Sequence, residues 1–253
     1  MKIASWNVNS LNVRLPHLST WLAQAAPDVV ALQETKLEDA KFPDSELASL
    51  GYLSVFSGQK TYNGVALLSR QPARDVVTDI GGLTDPQRRI LIATIGDIRV
   101  VNLYVVNGQS VGSEKYAYKL DWLAKVHDWL AAELQRFPKM IVLGDFNIAP
   151  HPIDLARPRG NETTSGFLPE ERALFKRCLG RGYLDTFRTL HPEAVRYSWW
   201  SNRIGVRDRN IGWRIDHVVA SRDLLSRLRA AFVWDHVRGS DHCPVGIDLD
   251  GPR

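Results

Sequence analysis

The sequence predicts an α/β protein with a sheet core covered by helices, and three observations carry that reading. Short runs rich in apolar and β-branched residues alternate with helix-length segments along most of the chain. Polar residues able to do chemistry stand directly after many of those runs. No low-complexity tract, Gly/Ser linker or clean repeat divides the 253 residues, so 1–253 reads as one domain.

The elements follow in order. Lys2–Val8 reads as a short strand and Leu15–Ala25 as a helix that Pro27 ends. Asp28–Glu34 (DVVALQE), Gly64–Ser69 and Ile98–Val106 have the near-continuous apolar character of buried strands. Asp85-Pro86 marks a turn between the last two. Ser113–Phe137 is the longest predicted helix, with Ser113 suited to its N-cap and Glu114 to its first turn. Tyr116, Leu120, Leu123, His127, Leu130, Leu134 and Phe137 recur at steps of four and three and predict its buried stripe. Pro138 stops it. Met140–Gly144 is a further buried strand, followed at once by Asp145-Phe146-Asn147. Pro150–Pro169 loses periodicity and reads as a functional surface loop. Leu168–Gly180 predicts a helix, Arg214–Ser221 a strand and Val245–Leu249 the last strand.

Composition excludes several classes. With 44% hydrophobic and 24% charged residues the chain is ordinarily globular rather than disordered. No apolar run approaches the roughly 18–20 residues of a membrane span. The start, Met1-Lys2-Ile3-Ala4-Ser5-Trp6-Asn7, turns polar too early for a secretion signal. Two cysteines, Cys178 and Cys243, cannot build a disulfide framework, which fits a reducing cytoplasm. There is no P-loop, no Gly-rich dinucleotide fingerprint and no Cys/His cluster with zinc spacing. The net charge of +4 permits a polyanionic partner without demanding one.

The polar residues at strand ends are more specific. Asn7 ends the first strand, Glu34 the second, Tyr104 and Asn107 the Ile98–Val106 run, and Asp145 and Asn147 follow Met140–Gly144. Asp216 interrupts Arg214–Ser221, and Asp241-His242 precedes the last strand. Each alone has an ordinary reading as a turn former, a solvated strand end or a core tyrosine. Their recurrence at matching positions is what points to a site. Glu34, Asp145, Asp241 and the amides Asn7 and Asn147 offer the hard oxygen donors that Mg²⁺ prefers. Oxygen ligands, one histidine and a basic chain together point to metal-assisted phosphodiester hydrolysis. Between Arg196 and Arg229 there are eight Arg against three Asp, a local net charge of +5, interleaved with Trp199, Trp200 and Trp213. Arg suits phosphate contact because its planar fork bonds two oxygens.

At these residues the sequence resembles the exonuclease III family of AP endonucleases, within the endonuclease/exonuclease/phosphatase superfamily. The motifs are W-N-V-N-S at Trp6–Ser10, L-Q-E-T-K at Leu32–Lys36 and G-Q-K-T-Y-N-G-V-A at Gly58–Ala66. N-L-Y-V-V-N-G at Asn102–Gly108, G-D-F-N-I-A at Gly144–Ala149 and S-G-F-L-P-E-E-R at Ser165–Arg172 follow. G-W-R-I-D-H at Gly212–His217 and S-D-H-C-P at Ser240–Pro244 complete a series that spans Lys2 to Leu249.

The resemblance implies a deoxyribonuclease I-like four-layer sandwich, two mixed β-sheets packed face to face and flanked by helices. It implies Glu34 as the main metal ligand with Asn7, Asn9 and Asp241 beside it, and Mg²⁺ as cofactor with Mn²⁺ as a substitute. His242 and Asp216 match the pair that polarises the scissile phosphate, Asp145 the carboxylate that handles the attacking water, and Asn147 the amide that orients it. Tyr104 and Asn107 match phosphate-contacting groups. Trp199, Trp213 and Ile215 match a pocket for an extrahelical abasic sugar, with Arg214, Lys36 and Arg89 as further DNA contacts.

The implied reaction is hydrolysis 5′ to abasic sites in double-stranded DNA, leaving a 3′-hydroxyl and a 5′-deoxyribose phosphate. The same centre could act as a 3′→5′ exonuclease or 3′-phosphodiesterase on blocked 3′ ends. A cytoplasmic monomer without membrane contact is expected. Val106 stands where many members have Pro and Asn9 where some have Asp, while Pro150–Gly160 matches no motif. A phosphatase of small esters and a non-enzymatic DNA-binding module are the competing readings.

Overall fold

The computed structural model describes residues 1–83 and 85–251. In chain order the regular elements are β1 (Lys2–Asn7), α1 (Leu11–Ala25), β2 (Val29–Gln33), α2 (Asp44–Ser49), β3 (Leu53–Ser57), β4 (Val65–Ser69) and β5 (Ala73–Val77). Then come β6 (Ile90–Ile95), β7 (Ile98–Tyr104), α3 (Glu114–Arg136), β8 (Met140–Asp145), α4 (Pro169–Gly180), β9 (Tyr183–Asp185) and α5 (Thr186–Leu190). β10 (Asp216–Ser221), β11 (Leu228–Val233) and β12 (Val245–Leu249) end the series.

The strands form two six-stranded sheets, ordered β11-β12-β1-β2-β4-β3 and β5-β6-β7-β8-β10-β9. β1–β2 and β7–β8 pair parallel and the other neighbours antiparallel, so both sheets are mixed. Alternation along each strand explains the layering. Ile3, Val29, Ala31 and Leu67 of the first sheet meet Leu91, Val100, Ile141 and Val218 of the second in a central core. The intervening residues face outward: Ala4, Trp6, Val30 and Leu32 pack under α1 against Leu18, Trp21 and Leu22. On the far side Val101 and Val142 pack under α3 and α4 against Trp122, Leu123, Val126 and Phe175. Strands covered on both faces are apolar at most positions, which is why they read as near-continuous runs rather than alternating ones. The two helix layers and two sheets make the four-layer sandwich that the resemblance implies.

One polar tie crosses the central core. Asn102 of β7 donates to the Leu32 and Ala66 carbonyls, each at 2.9 Å, and accepts from Gln33 at 2.8 Å. It ties the two sheets together two residues before Tyr104, which ends β7.

Several expectations shift. α1 begins at Leu11 rather than Leu15 and carries Pro16 inside. Its first turn is held from outside, because the N–H groups of Ser10 and Leu11 donate to the carbonyls of Glu34 and Thr35. The stripe of α3 is wider than expected: Tyr116, Leu123, His127 and Leu130 are buried as expected and Lys119, Trp122, Val126 and Glu133 join them, whereas Leu120, Leu134 and Phe137 are half-buried. β10 begins at Asp216, so Arg214 precedes the strand. Asp85-Pro86 lies in the β5–β6 connection, and the 150–169 segment has only a short 3₁₀ turn at Pro152–Asp154.

Candidate active site

Sheet register alone gathers most of the site. Asp145 at the end of β8 pairs with Tyr104 at the end of parallel β7 and with Asp216 at the start of antiparallel β10. In the facing sheet Asn7 pairs with Gln33, which places Glu34 beside it, and the His242 segment enters antiparallel β12 at the same edge. The backbone there is unusual. Asn9, Ser10, Glu34, Lys36 and Asn147 have φ of 44°, 89°, 53°, 55° and 49°. Left-handed conformations at non-glycine residues cost on the order of 1 kcal/mol each and persist where surrounding structure holds them, commonly at functional sites.

The side chains form one continuous network. The Asn7 amide donates to Glu34 Oε1 at 2.8 Å and to Asp145 Oδ2 at 2.9 Å, tying the two sheets' carboxylates together. Asn9 donates to Asp241 Oδ1 at 2.9 Å, and Trp199 Nε1 reaches Asp241 Oδ2 at 3.1 Å. His242 Nδ1 lies 2.9 Å from Asp216 Oδ2, which also accepts the Ser198 hydroxyl at 2.7 Å. That contact fixes the imidazole's orientation and leaves Nε2 facing Asp145 Oδ2 at 3.8 Å. Asn147 N–H donates to Asp145 Oδ1 at 2.9 Å, and Asn107 donates to Asn147 Oδ1 at 2.9 Å.

Electrostatics separates the carboxylates. Burial, with the charges of Asp216 and Glu34, pushes the Asp145 carboxyl up from its usual range, although His242 opposes this. Burial works against the His242 imidazolium, but Asp216 and Asp145 outweigh it and hold its pKa up. Glu34 and Asp241 go the other way. Burial would raise both, yet Asn7 and Lys36 at Glu34, and His242, Asn9 and Trp199 at Asp241, keep them below the ordinary carboxylate value. The site therefore holds firmly ionised carboxylates beside one that readily accepts a proton.

Among the described residues, Glu34, Asp145 and His242 offer ligand atoms within 4.8 Å of one another. The donors fit a hard divalent cation, being mostly carboxylate and amide oxygens. Lys36 shows that these oxygens take positive charge: its Nζ lies 3.0 Å from Glu34 Oε2 and 2.5 Å from Asn9 Oδ1.

A cavity of about 320 Å³ opens over this network. Glu34, Asp145, Asp241 and His242 line it together with Trp199, Trp213 and Ile215. The two indoles meet edge to face at 6.3 Å and 89°. Gly166 lies against Trp213: a Cβ there would sit 3.3 Å from the ring, and its φ of +96° favours glycine.

Of the expected DNA contacts, Arg89 covers the Tyr104 ring at 4.6 Å, and Lys36 is bound at the carboxylates. Arg214 is a correction. It is 1% exposed, and its fork is filled by Asp154 at 2.8 Å and Asp185 at 2.7 Å, so it has no face left for a phosphate. Arg207 and Arg227 of the same segment likewise spend their guanidinium groups on backbone carbonyls and Asp97. Trp200 is buried under Arg207 rather than in the cavity. Sequence reasoning missed Ser198, which orients Asp216, and the buried Lys119–Glu171 pair behind Asn147. Glu171 lay inside the Ser165–Arg172 motif, whereas Lys119 carried no signal. Gly108–Gly112 has the G-x-S-x-G spacing of a nucleophile elbow, but Ser110 is exposed and, among the described residues, no histidine bonds it.

A profile of the Endonuclease/Exonuclease/phosphatase family matches residues 4–242. The chain belongs to that family. An exodeoxyribonuclease of Bacillus subtilis (strain 168) is 36% identical over 99% of this chain and 100% of its own length. Among solved structures, a Neisseria 3′ phosphatase bound to a product DNA hairpin is 41% identical, with a TM-score of 0.97 over 99% of this chain and 100% of that one. An AP endonuclease from Archaeoglobus fulgidus is 35% identical, with a TM-score of 0.95 over 99% and 100%. The endonuclease/exonuclease/phosphatase fold thus extends across the whole chain, and the family's relatives include nucleases that act on damaged or terminal DNA. No helix among the described residues is long and apolar enough to cross a membrane.

Proposed function

We propose that this protein is an Mg²⁺-dependent AP endonuclease, with Mn²⁺ as a substitute ion. It hydrolyses the phosphodiester 5′ to an abasic site in double-stranded DNA and leaves a 3′-hydroxyl and a 5′-deoxyribose phosphate. The observation that carries this reading is one cavity lined both by the apolar Trp199, Trp213 and Ile215 and by Asp145, His242 and Glu34. A small apolar pocket beside a hydrolytic centre favours a sugar without a base, and a nucleotide lacking its base leaves the stack at lower cost. Gly166 keeps the pocket open at that point.

The chain's own groups divide the work. Asp145, the carboxylate whose pKa is pushed up, takes the proton of the attacking water. Asn147, held by Asn107, orients that water and the carboxylate. His242, charged and fixed by Asp216, meets the non-bridging oxygens as negative charge builds. Tyr104 and Asn107 hydrogen-bond the phosphate from the cavity edge. Glu34, with Asn7, Asn9 and Asp241, would hold the divalent cation, which when bound neutralises the phosphate and the departing 3′-oxygen. Trp199, Trp213 and Arg89 face the DNA, and Lys36 would join them when the cation replaces its ammonium at Glu34 and Asn9.

The same cavity suits 3′-terminal processing, as 3′→5′ exonuclease or 3′-phosphodiesterase, a second reading favoured by the 41%-identical relative described as a 3′ phosphatase. The protein acts as a monomer in the cytoplasm, a placement supported by two buried cysteines with free thiols.

The test is a 5′-labelled duplex bearing an abasic analogue, incubated with Mg²⁺ or with EDTA. Incision at the lesion in Mg²⁺ alone is the expected result. Binding without incision, or hydrolysis restricted to small phosphate esters, would overturn it.

A further inference from the structure

Lys119 of α3 and Glu171 of α4 are fully buried, with Nζ 2.6 Å from Oε1, and the chemistry above does not call on them. A buried ion pair loses so much solvation that apolar packing of the same volume is often as stable, so its presence is not accounted for by stability alone. Its other bonds give the reason. Lys119 Nζ donates to the Asn147 carbonyl at 2.8 Å and to the Asn107 carbonyl at 3.3 Å. Glu171 Oε2 accepts the N–H groups of Gly166 at 2.7 Å and Leu168 at 3.0 Å. The Ser165 hydroxyl lies 2.9 Å from the Asn107 carbonyl and 3.4 Å from Glu171 Oε1.

Every donor of the ammonium is used, and the carboxylate meets four partners, which is its capacity. Three segments therefore converge on one pair: Asn107 after β7, Asn147 after β8, and Ser165–Leu168 before α4. Asn107, Asn147, Ser165 and Gly166 all line the cavity. The approach is tight, since a Cβ on Gly108 would lie 2.9 Å from the Lys119 side chain. No neutral pair of this size can do the same: methionine lacks donors, and a glutamine that turns its oxygen to the Gly166 and Leu168 N–H groups turns its N–H₂ toward the ammonium.

We propose that Lys119 and Glu171 are positioning residues that lock the water-orienting Asn147 and the Gly166 wall of the sugar pocket into one fixed arrangement around Asp145. The activity readout rests on the AP endonuclease reading; the structural readout does not.

The test compares Glu171→Gln and the double variant Lys119→Met/Glu171→Gln with Arg99→Met/Glu133→Gln. The last removes a buried pair at the opposite end of α3, where Arg99 Nε and Glu133 Oε1 are 3.0 Å apart. The double variant leaves no buried charge uncompensated, so it folds even where the single variant does not. Amide hydrogen exchange read by mass spectrometry should show lost protection in residues 104–109, 144–150 and 163–169 of the double variant, and not in the Arg99/Glu133 control. With an abasic duplex the double variant should lose at least about tenfold in kcat with a smaller change in KM, as expected of displaced reacting groups. The control should keep kcat within about twofold, being remote and independent.

Wild-type exchange and kcat in the double variant, or equal losses in the control, would overturn the proposal. Should the wild-type protein fail to incise abasic DNA, the functional reading falls, and the exchange measurement still decides this one.

Discussion

Asp145 is 1% exposed, and Asn7, Asn147 and His242 approach it from three sides. Asp145→Asn keeps the volume and one of the two accepted N–H bonds, from Asn7 or from Asn147, but removes the proton acceptor. Its single-turnover incision should fall by at least about 100-fold, the ordinary contribution of a general base, while affinity for the abasic duplex is largely kept; near-normal turnover would exclude the role. Glu34→Ala should act differently, raising the Mg²⁺ concentration for half-maximal activity by at least about tenfold, as a metal titration would show. Arg214 is where residue-scale reading fails. An arginine next to Trp213 in a basic segment looks like a phosphate ligand, because sequence gives charge but not direction. Here two distant aspartates, Asp154 and Asp185, turn it inward. Arg214→Met should therefore lower stability by about 3–5 kcal/mol, as for a broken buried pair, and leave the salt dependence of DNA binding unchanged. Urea unfolding and binding at two salt concentrations separate these outcomes.

At the level of elements, what was legible follows burial on two faces. β1, β2, β4, β7, β8, β10 and β12 are sandwiched between layers, and their apolar runs stand out. β5, with exposed Arg74, Asp75 and Val76, is an edge strand and gives no such run. β6 is fully buried, and its ILIATI run is as apolar as its neighbours, but only the two residues Gly96-Asp97 separate it from the Ile98–Val106 run, so the sequence does not set it apart as a strand of its own. Tyr116, Leu123, His127 and Leu130 mark the buried face of α3 in the sequence, but Lys119 and Glu133 on the same face do not, since a sequence cannot show that a partner awaits a charge. The site itself was legible because parallel and antiparallel register bring strand ends, and hence their terminal Asn, Glu and Asp, to one edge. Gly144 makes that register possible: its φ is +143°, and a Cβ would lie 1.9 Å from the Leu103 carbonyl of β7. Gly144→Ala should destabilise by about 3 kcal/mol or more, at the upper end of overpacking effects, and displace Asp145, so that incision falls together with the urea midpoint.

Across the whole molecule, a net charge of +4 conceals an interior rich in ionic groups, and these make stability depend on pH. His127 and His217 are both buried, and burial, with Arg177 and Arg181 at His127 and Arg214 at His217, lowers each pKa to about 4. In the unfolded chain both titrate near about 6.5. Between these values the unfolded state binds a proton that the folded state refuses, so stability rises with pH. Their contribution is complete above about pH 6.5 and is lost as the pH falls toward 4, on the order of 2 kcal/mol for each histidine by pH 5. Asp145, whose folded pKa is raised chiefly by burial, acts in the opposite sense over part of the window. His242, also raised, is protonated in both states well below its unfolded value of about 6.5 and adds little slope there. The decisive measurement is therefore a difference. His127 Nδ1 is buried without a hydrogen-bond partner, so His127→Leu should leave stability at pH 7 unchanged or higher. By urea unfolding in EDTA at pH 7 and pH 5, the variant should lose less stability on acidification than the wild-type protein, by on the order of 2 kcal/mol. An equal loss in both proteins would show that His127 is protonated in the folded state and that its burial does not set the acid limit of this fold.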